Sequence, residues 1–297
     1  MSALAPSARP RRPWLRFLLR QSIIGLTRLS GALAGAAERL RWVRLRHTWL
    51  KPRPGDIYIA TSPKAGTTWM QMIVHQLVTQ GRADFEHINQ VSPFLEQLVR
   101  DAKAEALLDG LPSPRIIKTH LPYAQLKPPR DSRILYVTRN AADSLKSLYH
   151  HHYLVEDTPL DFSRFFRVVM DLDDPWLTHL ESWWPHREDP NVLHVRYEDL
   201  VQDLEGGVRR VAAFCGLPID ESRMGDILEH CGIAYMKQHT QRFDNLGPRA
   251  AALARGTFIH QGGVGQGRAM LDEAQRAELD ARVDSARQRL GMRGTGP

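Results

Sequence analysis

The chain has 297 residues, of which 42% are hydrophobic and 25% are charged, which suits a folded α/β domain and excludes a largely disordered chain. Two cysteines, Cys215 and Cys231, exclude a disulfide-dense scaffold and indicate reduced thiols in a cytoplasmic protein. The net charge is +7, but residues 1–53 hold 12 Lys and Arg against one acidic residue. Because the remainder carries more acidic than basic residues, a basic nucleic-acid-binding body is excluded, and no nucleic-acid partner is expected.

Residues 1–50 form a basic segment in which arginines interrupt every apolar run. No window of about 18 uncharged apolar residues exists, so a transmembrane helix is not expected. A twin-arginine export signal would need an apolar run after Arg11-Arg12, and Arg20 and Arg28 cut that run. We expect a basic amphipathic helical segment packed on the following domain. An organelle transit peptide and peripheral contact with an anionic membrane surface remain as alternatives.

The main domain is predicted to begin at residue 51, because Lys51–Gly55 is a cluster of chain-breaking residues. Four short runs favour β-strands: Asp56–Thr61, Ile116–Thr119, Arg133–Thr138 and Val192–Arg196. Helical periodicity is present in four stretches: Thr67–Thr79, Ala141–His150, Leu200–Phe214 and Asp272–Leu290. Strands alternating with helices predict a single α/β domain over residues 51–297, with a central parallel sheet flanked by helices.

The segment Ser62-Pro-Lys-Ala-Gly-Thr-Thr-Trp69 lies between a predicted strand and a predicted helix. Backbone N–H groups and a helix N-terminus then point at one place, which favours an anion. A nucleoside triphosphate loop requires lysine directly after the second glycine, whereas Lys64 precedes Gly66 here. The loop is therefore predicted to bind phosphate without being that motif. The alternative is an ordinary turn with a threonine cap on the helix.

Other candidate residues follow two further strands. Arg139 ends the third strand and is placed for a second phosphate, although a surface ion pair with Asp143 would also account for it. His120 follows the second strand, where ligand sites of parallel sheets form, although an isolated histidine there is more often structural. Lys118 lies two residues before His120, so a strand would point both side chains to one face.

Together these segments resemble the cytosolic-type sulfotransferases, which have a P-loop-like fold and use 3′-phosphoadenosine-5′-phosphosulfate (PAPS). The order and spacing agree from about Pro52 to about Arg268. Ser62–Trp69 resembles the family's loop for the 5′-phosphosulfate. Four later matches follow in the family's order: Lys118-Thr-His-Leu-Pro122, Arg139 with Ser147, Trp183-Trp184 and Arg196-Tyr-Glu-Asp-Leu200.

The resemblance implies a set of cofactor-binding residues, with Tyr197 at the adenine. They are Lys64, Ala65, Gly66, Thr67, Thr68, Trp69, Arg139, Ser147, Tyr197, Ile233, Met236, His260, Gln261 and Gly262. Four of these positions depart from the family: Ala65 replaces serine, Ile233 replaces phenylalanine, and His260-Gln261 replaces an Arg-Lys pair. Each lost charge-assisted contact would cost about 1.5–3 kcal/mol of binding free energy. Arg268 is expected to replace part of that charge.

The resemblance also assigns the catalytic residues His120, Lys64 and Lys118. His120 would be the general base on the acceptor hydroxyl, and Lys64 would stabilise the bridging oxygen as adenosine 3′,5′-bisphosphate leaves. Lys118 would add charge at the transferred sulfuryl group. No metal is implied, because no His, Cys or Asp cluster has ligand spacing. The family's C-terminal dimer motif has no match, so no oligomeric state is predicted.

The expected partner is a small-molecule hydroxyl acceptor: a phenol, an alcohol or a lipid-like compound. Its predicted pocket walls are Pro93, Phe94, Leu95, Tyr149–Tyr153 and Phe243–Phe258. Two other functions compete. A P-loop kinase is disfavoured by the position of Lys64, and a non-catalytic nucleotide-binding, membrane-associated protein would be compatible with the altered His260-Gln261 segment.

Overall fold

A computed structural model describes residues 40–45, 50–82, 84–99, 101–171, 174–244, 256–260 and 262–292. The chain divides into two compact units, residues 1–51 and 52–297. In the first unit, residues 40–44 are helical. Residues 1–39 and 46–49 lie outside the described ranges, so the helical and membrane-contact assignments of the N-terminal segment stay predictions.

Within the described part of the second unit, four parallel strands form one sheet in the order β2-β1-β3-β4. They are β1 (Ile57–Thr61), β2 (Ile116–Thr119), β3 (Arg133–Thr138) and β4 (Val192–Arg196). β1 and β2 are buried along their whole length, as expected for parallel strands covered on both faces. The predicted central parallel sheet is confirmed.

Helices cover the sheet and connect its strands. They are α1 (Thr67–Thr79), α2 (Ile88–Val91), α3 (Leu95–Leu98), α4 (Ala104–Gly110), α5 (Tyr123–Leu126), α6 (Ala141–Val155), α7 (Phe162–Asp171), α8 (Pro175–Trp183), α9 (Tyr197–Gln202), α10 (Leu204–Cys215), α11 (Met224–Cys231), α12 (Ile233–Gln238) and α13 (Glu273–Arg289). Short 3₁₀ helices occupy Trp184–His186, Glu221–Arg223, Thr240–Arg242 and Arg268–Met270.

The predicted helix Leu200–Phe214 is two helices, α9 and α10, separated at Asp203. The Asp203 carboxylate accepts a hydrogen bond of 2.9 Å from the Gly206 backbone N–H and caps the second helix. An aspartate side chain that competes for backbone donors explains why apolar periodicity alone missed this break.

Among the described residues, two apolar clusters pack these elements against one another. The first packs β1, β3 and β4 against α1, α10 and α11 and contains fully buried Ile59, Met70 and Ile227. The second joins α6, α7, α8 and α13 around Phe166 and Leu180. The first cluster packs β1 and α1, the two elements on either side of their connecting loop. Both ends of the loop are therefore held by rigid elements.

A buried ion pair joins the amino ends of β1 and β2. Arg115 donates to both carboxylate oxygens of Asp56, at 2.9 Å and 2.6 Å, and both side chains are fully buried. The Arg115 carbonyl also accepts from the Ile57 backbone N–H at 2.8 Å. The pair therefore fixes the register of the two strands whose opposite ends carry Lys64 and His120.

The described ranges contain no helix that is long and apolar enough to cross a membrane. In the same part of the chain, no group of three or more His, Cys, Asp or Glu side chains is arranged to hold a metal ion.

Candidate active site

The carboxyl ends of the four strands meet at one edge of the sheet. Thr61 pairs with Val137 in β3, and Ala60 pairs with Thr119 in β2, so the segments after these strands begin side by side. Thr138 pairs with Arg196 at the end of β4. This is the edge at which open parallel sheets bind ligands, and the predicted site residues Lys64, His120, Arg139 and Tyr197 all follow these strand ends.

The loop Ser62–Trp69 connects β1 to α1 through two residues with left-handed backbone. Lys64 has φ 67°, and Gly66 has φ 100° and is the N-cap of α1. Gly66 has no side chain that could cap the helix, so the alternative of a threonine cap is wrong. The Thr67 hydroxyl lies 2.6 Å from the Thr61 hydroxyl. Since the first N–H groups of a helix have no partner within it, the loop presents donors that suit an anion.

Lys64 lies in a positive part of this edge. Its Nζ is 4.3 Å from the centroid of the Phe258 ring. Burial, with the charges of Lys118 and Arg139, lowers the pKa of Lys64 to about 7. Arg139 donates to the Lys64 carbonyl at 3.3 Å. Three cations held together in this way favour a strongly anionic ligand, which would relieve their repulsion.

His120 is oriented by the end of β1. Its Nδ1 lies 2.8 Å from the Thr61 carbonyl oxygen, which can only accept, so Nδ1 carries the proton. Nε2 is then the unprotonated nitrogen and can accept a proton. Burial and the charge of Lys118 lower the pKa of His120 to about 3, which keeps the imidazole neutral at physiological pH.

Lys118 and His120 lie on the same side of β2, as strand alternation predicts. Lys118 Nζ is 4.3 Å from the centroid of the Phe94 ring, and the His120 ring meets the same phenyl ring edge-on at 5.0 Å. Burial lowers the pKa of Lys118 to about 8, while the nearby Glu96 carboxylate raises it. The structure therefore brings Lys118 and His120 together around one aromatic side chain.

Tyr197, Trp69 and Arg139 form a second group at the ends of β3 and β4. The Arg139 guanidinium carbon lies 4.2 Å from the centroid of the Tyr197 ring. The Trp69 ring meets Tyr197 edge-on at 5.2 Å, and its Nε1 donates to the Cys231 carbonyl at 2.8 Å. These contacts create an aromatic and cationic surface beside the loop, and such a surface can hold a planar base next to a phosphate.

Asp143, on α6, forms hydrogen bonds with the segment around Gly262–Gly267. This buried carboxylate accepts from the Gly265 N–H at 2.8 Å and the Gly267 N–H at 2.6 Å. The Gly263 carbonyl accepts from Arg139 at 3.1 Å. Asp143 thus binds the glycine segment, which differs from the surface ion pair that the sequence allowed.

Gly262, at φ 65°, lies against the half-exposed side chain of Ile233: a Cβ on Gly262 would be 3.2 Å from Ile233 Cδ1. Met236, in contrast, is 2% exposed and belongs to the hydrophobic core beneath α12. Ala65 is fully buried, and Ser147 is half-buried on α6. The structure therefore places Ile233 and Gly262 together near Tyr197, whereas Met236 contributes packing.

The positions that depart from the family have different surroundings. His260 is exposed and stacks on His150, with ring centroids 3.9 Å apart. Partial desolvation of the ring and the charges of His150, Lys146 and Lys237 lower the pKa of His260. Gln261 lies outside the described residues. The expectation that Arg268 replaces the missing charge is not met, because both of its terminal nitrogens bind Asp280 at 2.8 Å.

Sequence reasoning missed Glu96 and the role of Asp143, and it misplaced two pocket walls. Glu96 accepts hydrogen bonds from the residues that end β2. The only signal for Glu96 in the sequence was an acidic residue two positions after Phe94. Its contact is with His120, 24 positions away in the chain. Leu95 and Phe243 are buried in the protein interior, so they do not line an open pocket.

Comparisons with known proteins agree with this architecture. A family profile described as the sulfotransferase domain matches residues 54–291. Cytosolic sulfotransferase 1 of Danio rerio is 34% identical over 255 residues, which cover 80% of this chain and 84% of that protein. Sulfotransferase 1C2 of Homo sapiens is 30% identical over 282 residues, which cover 86% of this chain and 90% of that protein.

Solved structures share the fold. Retinol dehydratase in complex with androsterone and the inactive cofactor PAP has a TM-score of 0.72 at 21% identity, and the match covers 86% of this chain and 88% of that one. A mouse sulfotransferase complexed with PAP has a TM-score of 0.65 at 21% identity, with 85% and 90% coverage. The family profile spans most of the chain, and the chain belongs to the sulfotransferase family, in its cytosolic type.

Proposed function

We propose that this protein transfers a sulfuryl group from PAPS to the hydroxyl of a small-molecule acceptor, with His120 as the general base. The observation that carries the proposal is the meeting of Lys64, Lys118 and His120 beside the left-handed loop that opens α1. Positive charge next to unpaired helix N–H groups suits a phosphosulfate. An oriented, neutral imidazole supplies the base that a hydroxyl acceptor requires.

The residues at the sheet edge fit an anionic nucleotide. Lys64 is half-buried, and the charged groups that shift its pKa are the cations Lys118 and Arg139, so a bound anion would relieve that repulsion. We assign three groups of contacts: the 5′-phosphosulfate to Lys64–Trp69, the adenine to Trp69, Tyr197 and Ile233, and the 3′-phosphate to Arg139, Ser147 and the segment 260–262. The nucleotide that leaves is adenosine 3′,5′-bisphosphate (PAP).

The proposed chemistry divides between base and electrostatic stabilisation. PAPS supplies an activated sulfuryl group on a phosphate leaving group. His120 Nδ1 is engaged by the Thr61 carbonyl, so Nε2 takes the proton of the acceptor hydroxyl. The acceptor oxygen bonds to sulfur as that proton leaves, the bond between sulfur and the 5′-phosphate oxygen of PAPS breaks, and PAP departs with the electron pair of that bond. Lys64 and Lys118 balance the negative charge on the leaving oxygen and on the sulfuryl oxygens.

The acceptor is proposed to be a largely apolar compound with one reactive hydroxyl. The Phe94 ring contacts both Lys118 and His120, so an apolar surface adjoins the reacting groups. Two structural neighbours were solved with androsterone and with retinol, and both of these ligands are apolar alcohols. A cytoplasmic location is proposed on the cytosolic relatives and on the two free cysteines, Cys215 and Cys231.

Transfer of labelled sulfate from PAPS to a panel of phenols and alcohols tests the proposal. The wild-type protein should label at least one acceptor, and His120→Ala should lower the rate about 10²–10⁴-fold while still binding PAP. His186→Ala is the matched control. His186 ends the 3₁₀ helix before β4, where it pairs with Asp189 and stacks on Tyr123, and it is assigned no role in transfer. A wild-type protein that labels nothing would contradict transfer, and equal rates for His120→Ala and wild type would contradict the base.

A thermal-shift comparison separates the two competing functions. Stabilisation by PAP but not by ATP with Mg²⁺ argues against a kinase. A non-catalytic nucleotide-binding protein would bind PAP and PAPS and label no acceptor. The observation that supports this second candidate is the stack of the exposed His260 on the half-buried His150, at the position assigned to the 3′-phosphate.

A further inference from the structure

Glu96 is the second residue of α3, and its carboxylate contacts the residues that end β2. One carboxylate oxygen, Oε1, accepts from the His120 backbone N–H at 2.5 Å and from the Thr119 hydroxyl at 3.2 Å. The Thr119 oxygen in turn accepts from the Leu121 N–H at 3.1 Å. The backbone that carries His120 is therefore organised around one carboxylate.

The segment Pro93–Glu96 contacts β2 in two further ways. The Pro93 carbonyl accepts from the Lys118 N–H at 2.9 Å, and Phe94 pairs with Lys118 as a parallel bridge. The Phe94 ring contacts the Lys118 ammonium and the His120 imidazole. Backbone, ring and carboxylate of one short segment thus act on the same two residues of the transfer centre.

The charge of Glu96 requires a separate explanation. Its second oxygen, Oε2, is buried and has no hydrogen-bond partner among the described residues. An amide oxygen could accept the same two hydrogen bonds without the cost of burying a carboxylate. Burial raises the pKa of Glu96 to about 7; the hydrogen bonds from the His120 N–H and the Thr119 hydroxyl, and then the charge of Lys118, lower it, and Glu96 in turn raises the pKa of Lys118. The carboxylate charge is therefore coupled to the lysine.

We propose that Glu96 is a positioning residue for sulfuryl transfer: Oε1 holds the His120 peptide in place, and the carboxylate balances the charge of Lys118, which the Pro93 carbonyl and the Phe94 ring of the same segment hold. This inference rests on the proposed function, because Glu96 acts only through His120 and Lys118. Lys118 also faces three other titratable groups, Lys64, His120 and His151. Burial lowers the pKa of His120 to about 3 and that of His151 to about 4, so both imidazoles are neutral at physiological pH, whereas the Glu96 carboxylate favours a positive charge on Lys118.

The test compares Glu96→Gln with Glu96→Ala in the full chain, with the exposed neighbour Gln97→Ala as control. NMR titration of selectively labelled lysine, assigned with Lys118→Arg, measures the pKa of Lys118 without any acceptor. Glu96→Gln should lower that pKa by about 1 or more, because the charge is lost while an acceptor oxygen remains. The alkaline limb of the pH–rate profile should move to lower pH by the same amount.

Glu96→Ala should also lower kcat about 10²-fold, because the His120 peptide loses its partner and the imidazole is displaced. KM for PAPS should stay within about twofold, since the nucleotide contacts are elsewhere. An unchanged Lys118 pKa in Glu96→Gln, or wild-type kcat in Glu96→Ala, would overturn the proposal. A shifted Lys118 pKa in a protein that transfers no sulfate would instead refute the proposed function and leave the charge coupling intact.

Discussion

Gly66→Ala perturbs the phosphate loop at its most constrained residue. Gly66 has φ 100°, a conformation that L-residues rarely adopt, and a Cβ there would lie 2.7 Å from Tyr197 Cδ2. Backbone strain at such a position costs about 1–3 kcal/mol, and forcing the Tyr197 ring away adds about 1–3 kcal/mol. The lower bound is therefore about 2 kcal/mol of folding free energy, or a fall in Tm of roughly 4–8 °C.

The same substitution should weaken nucleotide binding. Tyr197 contacts Trp69 and Arg139, so a displaced ring disturbs both partners as well as the helix N-terminus. We expect the Kd for PAP, measured by calorimetry, to rise at least about tenfold, which is about 1.4 kcal/mol. Gly225→Ala is the matched control, because Gly225 lies in α11. Apart from its own helix backbone and its chain neighbours, no atom of the described residues would lie within 4 Å of a Cβ at Gly225. Alanine should stabilise that helix by about 0.5–1 kcal/mol. Wild-type Tm and Kd in Gly66→Ala would refute the reasoning.

Two further predictions concern stability, measured by urea unfolding. Arg115→Met leaves the Asp56 carboxylate buried without its partner and should lower the free energy of unfolding by about 3–5 kcal/mol. Arg82→Met, at the exposed pair with Asp220, should lower it by less than about 1 kcal/mol. Similar losses in the two variants would contradict the importance of burial. Burial lowers the pKa of His179 to about 3, so the unfolded chain binds more protons below pH 6.5, and stability falls as pH drops from 6.5 toward 3. Wild type should therefore lose about 2 kcal/mol between pH 7 and pH 5 that His179→Phe does not lose, and equal losses would show that His179 does not titrate in this way.

The sheet and the helix α1 could be predicted in detail because their signals are local. The four strands are short apolar runs bounded by turns, and three of them agree with the structure at both ends, while β1 begins one residue later than predicted. The helix α1 also agrees at both ends. The break at Asp203 was missed, because a side-chain cap can interrupt a helix without any change in apolar periodicity.

The candidate site could be predicted only as a set of residues. Lys64, His120, Arg139 and Tyr197 each follow a strand, and the carboxyl ends of parallel strands meet at one edge. Met236 could not be separated from its neighbour Ile233 by sequence, since both are apolar residues on one short helix. Their exposures of 2% and 46% depend on how that helix packs on the core.

The amino-acid sequence alone determined the order of strands and helices, the position of Lys64 before Gly66, and the resemblance to one family, because these are properties of neighbouring residues. The tertiary structure decided which nitrogen of His120 is free, since a carbonyl of another strand orients the ring. It also decided that Asp143 binds the glycine segment and that the Glu96 carboxylate accepts from the His120 N–H. These features depend on contacts between residues far apart in the chain, and only packing of the sheet brings them together.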